Sequence, residues 1–222
     1  MNIIIENQIA ETFPEISFGC LLVHVDVKPS DDELVTAMNE LCEMLTPDLS
    51  PESIRNHSVV SATKNAYRKL GKDPNRYRPA AESLLRRLAL GKGLYQVNNM
   101  VDILNMVSVK TGFSIGGYDA DKISGNISFG VGKTDEPYEG IGRGALNIEN
   151  LPVFRDEIGA FGTSTSDSVR TMVTESTKRF LMIIPAYNGE REALEKAIDY
   201  AEDLLAEFGK VKEITIGCQG LK

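Results

Sequence analysis

Apolar residues recur along the chain with two different spacings, which separate the predicted strands from the predicted helices. Alternating apolar positions over residues 17–27 and a nearly continuous apolar run over residues 179–186 each predict a strand. Apolar residues three and four positions apart predict one helix that ends near Leu45 and another over residues 190–208. We expect the first of these helices to begin with a capping box in which Ser30 is the cap.

Proline, glycine and asparagine mark the boundaries of the helices that are predicted between residues 50 and 112. Pro51 is well placed to open a short helix, and Asn98 is well placed to cap the last helix of this region. Glycines end the helices between them, since glycine adopts the left-handed conformation without a steric penalty. These helices are predicted over about residues 59–70, 79–90 and 99–111, with Ala80, Leu84, Leu85 and Leu88 facing the core.

Short apolar pieces separated by small polar residues follow Gly112 and are typical of short antiparallel strands. The mixed order of strands and helices favours an α+β fold with mainly antiparallel sheets packed by helices. We expect residues 112–185 to build the sheet, under the helices near 79–90 and 99–111. The chain is expected to be a single domain, 1–222, with a strand–helix extension over about residues 1–50. The short strands are predicted at 127–131, 145–148, 151–157, 158–162 and 213–217.

Composition limits the class of protein. Hydrophobic residues make up 42% of the chain, enough for a core, but no apolar run approaches the ~20 residues of a membrane span. The acidic start is unlike a signal peptide, so we expect a cytoplasmic protein with no membrane partner. Cys20, Cys42 and Cys218 are too few and too widely spaced for a disulfide framework or a zinc site, and are interpreted as buried small side chains.

The familiar catalytic and cofactor patterns are not matched. Gly132-Lys133-Thr134 resembles the end of a phosphate-binding loop, but the first glycine and the following helix are missing. The glycines at 140, 142 and 144 have neither the spacing nor the βαβ frame of a dinucleotide site and are interpreted as a hairpin or bulge. With two histidines and no metal-binding or nucleophile motif, the sequence predicts no cofactor and no metal.

Positive charge is concentrated in one segment of an acidic chain. The net charge is −8, yet residues 64–92 contain nine basic residues against Asp73 and Glu82, a local balance of +7. Two interpretations stay open here: a solvated helical face, or a surface on which an anionic partner docks. The basic residues are Lys64, Arg68, Lys69, Lys72, Arg76, Arg78, Arg86, Arg87 and Lys92.

Residues 76–123 carry a resemblance to a known family. Leu85-Arg86-Arg87-Leu88 follows a helix opened by proline, Asn98-Asn99-Met100-Val101-Asp102 begins the next helix, and Gly116-Gly117-Tyr118-Asp119 precedes Asp121-Lys122-Ile123. This series resembles the tRNA-binding and editing domain of bacterial phenylalanyl-tRNA synthetase beta subunits, which also occurs as free-standing B-three/B-four domain proteins. The resemblance covers about residues 60–180.

The resemblance implies a fold similar to that editing domain and a tRNA or aminoacyl-tRNA partner. It also implies a trans-acting protein that hydrolyses misacylated tRNA. An aminoacyl ester is already activated, so hydrolysis needs a positioned water and an oxyanion donor more than a strong nucleophile. Two alternatives are a noncatalytic RNA-binding module and a small-molecule amino-acid-binding protein. The basic segment favours the RNA-binding functions over the last of these.

The sequence departs from the family pattern at two functional positions. The editing histidine of the family falls on Gly116, and the glutamate that recognises a tyrosine hydroxyl falls among the Thr and Ser residues of 162–168. Tyrosine specificity is therefore not implied, and no residue is assigned as catalytic. The RNA-binding candidates are Arg76, Arg78, Arg86, Arg87 and Lys92. The substrate-pocket candidates are Asn105, Gly116, Gly117, Tyr118, Asp119, Gly162, Thr163, Ser164, Ser166 and Asp167.

Each of these assignments has a purely structural alternative. Asn98 and Asn99 can serve as helix caps. Asp102 and Asn105 share one helical face and can tie down a neighbouring loop. Gly116 and Gly117 can simply permit a tight chain path, and residues 162–167 can form a plain polar turn.

Overall fold

The computed structural model describes residues 2–211, 213–217 and 219–221. The α-helices are α1 (Asn7–Thr12), α2 (Asp32–Leu45), α3 (Pro51–Asn56), α4 (Ser58–Lys69), α5 (Ala80–Ala89), α6 (Asn99–Thr111) and α7 (Arg191–Glu207). The strands are β1 (Asn2–Ile5), β2 (Ser17–His24), β3 (Gly116–Asp119), β4 (Ile127–Val131), β5 (Glu139–Gly140), β6 (Gly144–Ala145), β7 (Pro152–Arg155), β8 (Ala160–Thr163), β9 (Arg179–Ala186), β10 (Ile214–Ile216) and β11 (Gln219–Leu221).

Two main sheets are formed. In the four-stranded sheet the order is β10-β2-β9-β3, and all pairs are antiparallel. The order in the five-stranded sheet is β11-β1-β4-β7-β8, where β1 runs parallel to both of its neighbours and the other pairs are antiparallel. The predicted α+β fold with mainly antiparallel sheets is confirmed, and every pairing between strands of residues 112–185 is antiparallel.

Strand β9 separates the two main cores. Its Phe180, Met182 and Ile184 pack under the helices, together with residues of α2, α5, α6 and α7. Leu181 and Ile183 point the other way and pack between the two sheets. The layers are therefore helices, four-stranded sheet and five-stranded sheet, and a strand buried on both faces explains why this run is almost continuously apolar.

The helix boundaries follow from local chemistry. Asn98 caps α6 by accepting a hydrogen bond from the Val101 N–H, and Gly112 ends that helix with a φ of 80°. Helix α3 begins at Pro51, as predicted, and Ser50 caps it. The prediction for α2 is wrong by one residue, because the Asp31 side chain is the cap. The Ser30 hydroxyl is instead bonded to the buried Asp102 carboxylate at 2.6 Å.

Several strand predictions need correction. Strand β2 ends at His24 and does not reach residue 27, and residues 145–148 do not form a strand beyond the two-residue pairing of β6 with β5. Strand β1 and helix α1 were not predicted. Strand β1 makes the two parallel pairings of the five-stranded sheet. The predicted sheet of 112–185 is divided between two sheets, and the amino-terminal segment contributes a strand to each.

The burial of individual side chains tests the predictions for the cysteines and for helix α5. Cys20 and Cys42 are both buried, as they were interpreted. Cys42 is free, whereas Cys20 is disulfide-bonded, which the cysteine spacing did not predict. Cys218 lies outside the described residues. Ala81 is buried in α5, whereas Ala80 and Leu84 are only partly buried. Among the described residues, no helix combines the length and apolarity that crossing a membrane requires.

A buried ion cluster joins α4 to α5. Glu82 is 1% exposed, and its carboxylate forms ion pairs with Lys64 Nζ at 2.9 Å and with Arg86 Nε at 2.8 Å. Arg78 Nε lies 3.8 Å from the same carboxylate. Burial alone would raise the pKa of Glu82, but hydrogen bonds from Lys64 and Arg86 hold it below its usual value. The carboxylate therefore neutralises part of the basic segment.

We expect Glu82→Ala to destabilise the fold by about 3 kcal/mol or more, because it leaves the buried Lys64 ammonium without its counter-charge. Urea unfolding of the variant and the wild type measures the difference. Glu192→Ala is the matched control, since it removes an exposed (i, i+4) pair with Lys196. Equal midpoints for the two variants would contradict the structural role of Glu82.

Candidate functional site

A cavity of about 330 Å³ opens between α5, α6, β3 and the β5–β6 hairpin. Most of its wall is apolar, and its polar groups are few, as in many small-molecule sites. The apolar lining consists of Ala80, Leu84, Val97, Val101, Leu104, Ile115, Ile141, Met172 and Val173. The remaining lining residues are Ser83, Asn105, Gly117, Arg143, Thr165, Ser166 and Asp167. We refer to this space as the apolar cavity.

Asp167 is held at the wall of the apolar cavity from two directions. Strand β3 lies at the edge of its sheet, and the Gly117 N–H donates to Asp167 Oδ2 at 3.0 Å. The Asp167 carbonyl accepts from the Ile141 N–H at 2.9 Å, which attaches the β5–β6 hairpin to the same residue. Within the described chain, the buried Oδ1 atom has no hydrogen-bond partner.

This environment changes the acidity of Asp167. Burial raises its pKa to about 7, against smaller opposing effects of the Gly117 N–H and the Tyr118 hydroxyl. A carboxyl with a pKa near neutrality exchanges a proton readily at physiological pH, which is what a general base requires. Asp167 is thus the ionisable residue of the cavity best suited to acid–base chemistry.

Tyr118 lies behind Asp167 and not in the cavity. Its ring packs edge-on against Phe161 with centroids 4.9 Å apart, and its hydroxyl sits between Gly116 and Gly162. A Cβ atom at either glycine would overlap the tyrosine ring or hydroxyl. These two glycines are therefore required by the close approach of Tyr118, and not by a ligand.

The other candidates of this region stabilise the loops around the cavity. Asp119 accepts from the Thr177 hydroxyl at 2.9 Å and pairs with Lys122 at 3.3 Å. The Ser164 hydroxyl is bonded to the Tyr187 hydroxyl at 3.1 Å, and Thr163 Oγ1 holds the turn that follows it. Of the ten pocket candidates, four line the apolar cavity: Asn105, Gly117, Ser166 and Asp167.

Asp102 and Asn105, one turn apart on α6, have different roles. Asp102 is fully buried and ties down two loops, accepting from the Ser30 hydroxyl and from the Val97 N–H at 2.9 Å. The structural alternative is therefore the observed role of Asp102. Asn105 faces the cavity, where its side-chain amide makes no hydrogen bond to any described residue and is available to a ligand.

Sequence reasoning missed Arg143, which lines both the apolar cavity and a second depression. Gly140-Ile141-Gly142-Arg143-Gly144 is the hairpin that its glycines indicated, with φ of 67° and 68° at Gly142 and Gly144. The signal available in the sequence was a single arginine in an otherwise uncharged turn. That turn places the exposed guanidinium at the rim of the cavity.

The second depression is a groove of about 360 Å³ along α5. It shares Ser83, Leu84 and Arg143 with the apolar cavity, so the two lie side by side. Four of the five RNA-binding candidates line it, and Arg76 lies outside it. The groove is lined by Arg78, Ser83, Leu84, Arg86, Arg87, Leu90, Lys92, Tyr95 and Arg143, and we call it the basic groove.

The basic segment is not a uniform cationic face. Lys64 and Lys72 are buried, and Lys72 donates to the Asn147 and Glu149 carbonyls at 2.9 and 2.6 Å. Arg78 and Arg86 share Glu82, as described above. The Arg87 guanidinium stacks over the Tyr95 ring at 3.8 Å. Of the remaining basic residues of the segment, Arg78, Arg86, Arg87 and Lys92 line the basic groove, whereas Arg68, Lys69 and Arg76 are exposed elsewhere.

A model of the B3/4 domain family matches residues 62–210. The chain belongs to the B3/4 domain family. The matched region begins within α4 and contains the lining residues of both the apolar cavity and the basic groove. It extends about 30 residues beyond the range of about 60–180 that the sequence resemblance covers. No curated protein matches the chain.

One solved structure similar to this B3/4 domain protein is an N-terminal fragment of the phenylalanyl-tRNA synthetase beta subunit from Pyrococcus horikoshii. The TM-score is 0.48 and the sequence identity is 13%, and the alignment covers 97% of this chain and 50% of that chain. The chain thus spans about half the length of the synthetase fragment.

The raised pKa of Asp167 predicts a pH-dependent effect of Asp167→Asn. Because the pKa in the folded chain lies above the ordinary value of 3.8, the stability that the neutral carboxyl contributes is complete below about pH 4 and is lost as the pH rises through about 7. Asparagine does not ionise. When the pH is raised from about 5 to about 8, we therefore expect the free energy of unfolding of the variant to increase by about 1 kcal/mol or more relative to that of the wild type.

Urea unfolding at the two pH values measures this gain. Asp199→Asn, which removes an exposed carboxylate on α7, is the control and is expected to show no such change. A stability difference between Asp167→Asn and wild type that is the same at both pH values would show that Asp167 ionises as an ordinary carboxyl.

Proposed function

We propose that the chain is a cytoplasmic, trans-acting protein that binds aminoacyl-tRNA and hydrolyses the aminoacyl ester. The observation that carries this proposal is that the two depressions are adjacent, because an apolar cavity for a side chain shares three lining residues with a cationic groove for phosphates. Membership of the B3/4 family and the resemblance to the synthetase editing domain over residues 76–123 support it.

The basic groove has the chemistry of a phosphate-binding surface. Arg78, Arg86, Arg87, Lys92 and Arg143 line it, whereas the chain as a whole carries a net charge of −8. A field this polarised attracts a polyanion to the groove and repels it from most of the remaining surface. Phosphate contacts made by Arg and Lys release counterions, so affinity should fall steeply with salt.

The apolar cavity suits an apolar aminoacyl group with a polar ester at its mouth. Leu104, Ile115 and Val173 belong to the apolar part of the wall, where no side chain can form a hydrogen bond. The cavity therefore favours amino acids without a side-chain hydroxyl. The ionised Asp167 is placed to take a proton from a water molecule whose oxygen attacks the acyl carbon. The ester C–O bond then breaks, and Asp167 returns the proton to the ribose oxygen, which leaves as a hydroxyl.

Two cavity groups can stabilise the oxyanion that forms during this attack. The Asn105 amide is not bonded to any described side chain or backbone group, and the Arg143 guanidinium lies at the rim shared with the basic groove. Either donor would act on charge that develops in the transition state. The proposal therefore needs neither of the two family residues that the sequence lacks.

Deacylation of a panel of aminoacyl-tRNAs tests the reaction. We expect faster ester hydrolysis for tRNAs that carry apolar amino acids, with a rate that rises through about pH 7 as Asp167 ionises. Asp167→Asn should lower the rate about a hundredfold and remove this rise, because amide nitrogen is no base. Asp199→Asn should match the wild type.

The same panel distinguishes the alternatives. Salt-dependent binding of tRNA without hydrolysis of any ester would establish the noncatalytic RNA-binding function. Binding of free amino acids without affinity for tRNA would establish the small-molecule function, with the ammonium at Asp167 and the carboxylate at Arg143.

Arginine variants test the basic groove. We expect Arg87→Ala to weaken tRNA binding, and to reduce the slope of log affinity against log salt by about one, because one phosphate contact is lost. The melting temperature should fall only slightly, because Arg87 loses only a partly exposed contact with the Tyr95 ring. Arg86→Ala should lower the melting temperature as well, since Arg86 hydrogen-bonds to the buried Glu82.

The control is Lys196→Ala, which removes an exposed cation far along the chain on α7. Its tRNA affinity and salt slope should equal those of the wild type. Equal losses of affinity in Arg87→Ala and Lys196→Ala would indicate attraction by total charge and would exclude a defined groove.

A further inference from the structure

Tyr95 is an exposed aromatic residue within the basic groove. It lies in the irregular segment between α5 and α6, and 54% of its surface is accessible. Its neighbours Leu90 and Val97 are 70% and 57% exposed, so an apolar surface accompanies the cations. Isolated exposed apolar residues are ordinary, but a group of them beside a cavity indicates a binding surface.

One face of the Tyr95 ring is already occupied. The Arg87 guanidinium lies 3.8 Å from the ring centroid, a cation–π contact that holds the ring in place. More than half of the surface of Tyr95 is accessible despite this contact, so we infer that the other face of the ring is open. An aromatic ring that is fixed on one side and open on the other is the arrangement on which a nucleobase stacks, and the surrounding cations suit the phosphates of the same strand.

The position of Tyr95 relative to the cavity adds a geometric argument. Tyr95 lines the basic groove and Val97 lines the apolar cavity, and two residues span at most ~7 Å of chain. An aminoacyl group is attached to the ribose of the last nucleotide, next to that nucleotide's own base. A base on Tyr95 therefore leaves the ester close to the mouth of the cavity.

We propose that Tyr95 is the stacking platform for the unpaired nucleobase at the 3′ end of the bound RNA. This inference rests on the proposed function, which supplies the RNA, and it adds a recognition site for the base. Arg87 orients the ring, and Lys92 and Arg143 lie in the same groove to contact the flanking phosphates. Stacking tolerates any base, so the platform would accept the end of any tRNA.

The test uses uncharged tRNA acceptor-stem minihelices, so that binding is measured apart from hydrolysis. One minihelix has an intact unpaired 3′ end, and the other is identical but lacks the terminal nucleobase. Fluorescence anisotropy gives the affinity of each for wild type, Tyr95→Phe and Tyr95→Leu. Thermal melting checks that the two variants are folded, as expected for a half-exposed side chain.

Tyr95→Phe keeps the ring and should bind the intact minihelix like the wild type. Tyr95→Leu should bind it about five- to a hundredfold more weakly, the range that stacking of one base accounts for. Loss of the terminal base should weaken wild-type binding by a similar factor. Tyr95→Leu should cause no further loss with the base-free minihelix, because the two changes remove the same contact.

Two results would overturn the inference while leaving the proposed function intact. One is equal affinity of the wild type for both minihelices, and the other is an equal loss for both in Tyr95→Leu. In either case the wild type would still bind RNA with strong salt dependence. If the wild type binds neither minihelix at low salt, the proposed function fails, and the stacking site fails with it.

Discussion

Burial of β9 on both faces is the constraint from which the arrangement of the site follows. A strand enclosed between helices and a second sheet must have all its backbone groups paired, so β2 and β3 lie on either side of it. Strand β3 is short and ends the sheet. The outward Gly117 N–H therefore needs an acceptor from elsewhere, and the Asp167 carboxylate supplies it. The requirement that buries this carboxylate also raises its pKa, so the packing of the core and the chemistry of the cavity are linked through one hydrogen bond.

Glu82 is a second buried carboxylate that joins two segments of the chain, in this case within the basic segment. Its buried carboxylate fixes Lys64 of α4 and Arg86 of α5, and it joins two helices that otherwise carry mostly like charges. Without this counter-charge, Lys64 would be a desolvated ammonium, which is costly in a protein interior. With it, part of the positive charge stabilises the fold, and Arg86 and Arg87 of α5 line the groove beside the cavity. The distribution of charge along the sequence therefore describes two different features, an internal cluster and a surface groove.

How far the sequence predicted this structure depends on the range of the interactions involved. Asn98 as a helix cap and residues 179–186 as a strand were correctly predicted, because local hydrogen bonds and continuous burial determine both. The cap of α2 was assigned one residue too early, because Ser30 is engaged by Asp102, which is 72 residues away. Strand β1 was missed, since its pairing with β4 and β11 joins distant parts of the chain. At the candidate site, sequence resemblance brought 105, 117 and 167 together, but the contribution of Arg143 depends on the long-range contact between Ile141 and Asp167.

The departure from the family pattern at residue 116 has a structural reason. The sequence resemblance aligns the editing histidine of the synthetase domain with Gly116, and here even a Cβ atom would overlap the Tyr118 ring and hydroxyl. Tyr118 in turn packs against Phe161 and requires a second glycine, Gly162, on the other side of its hydroxyl. A histidine therefore cannot be restored at residue 116 without displacing Tyr118 from the core. An aromatic residue fills the space behind the cavity wall, and the acidic residue that lines the cavity is Asp167. The base in the proposed reaction is this carboxylate, and a single histidine substitution at 116 would disrupt the fold before it supplied another base.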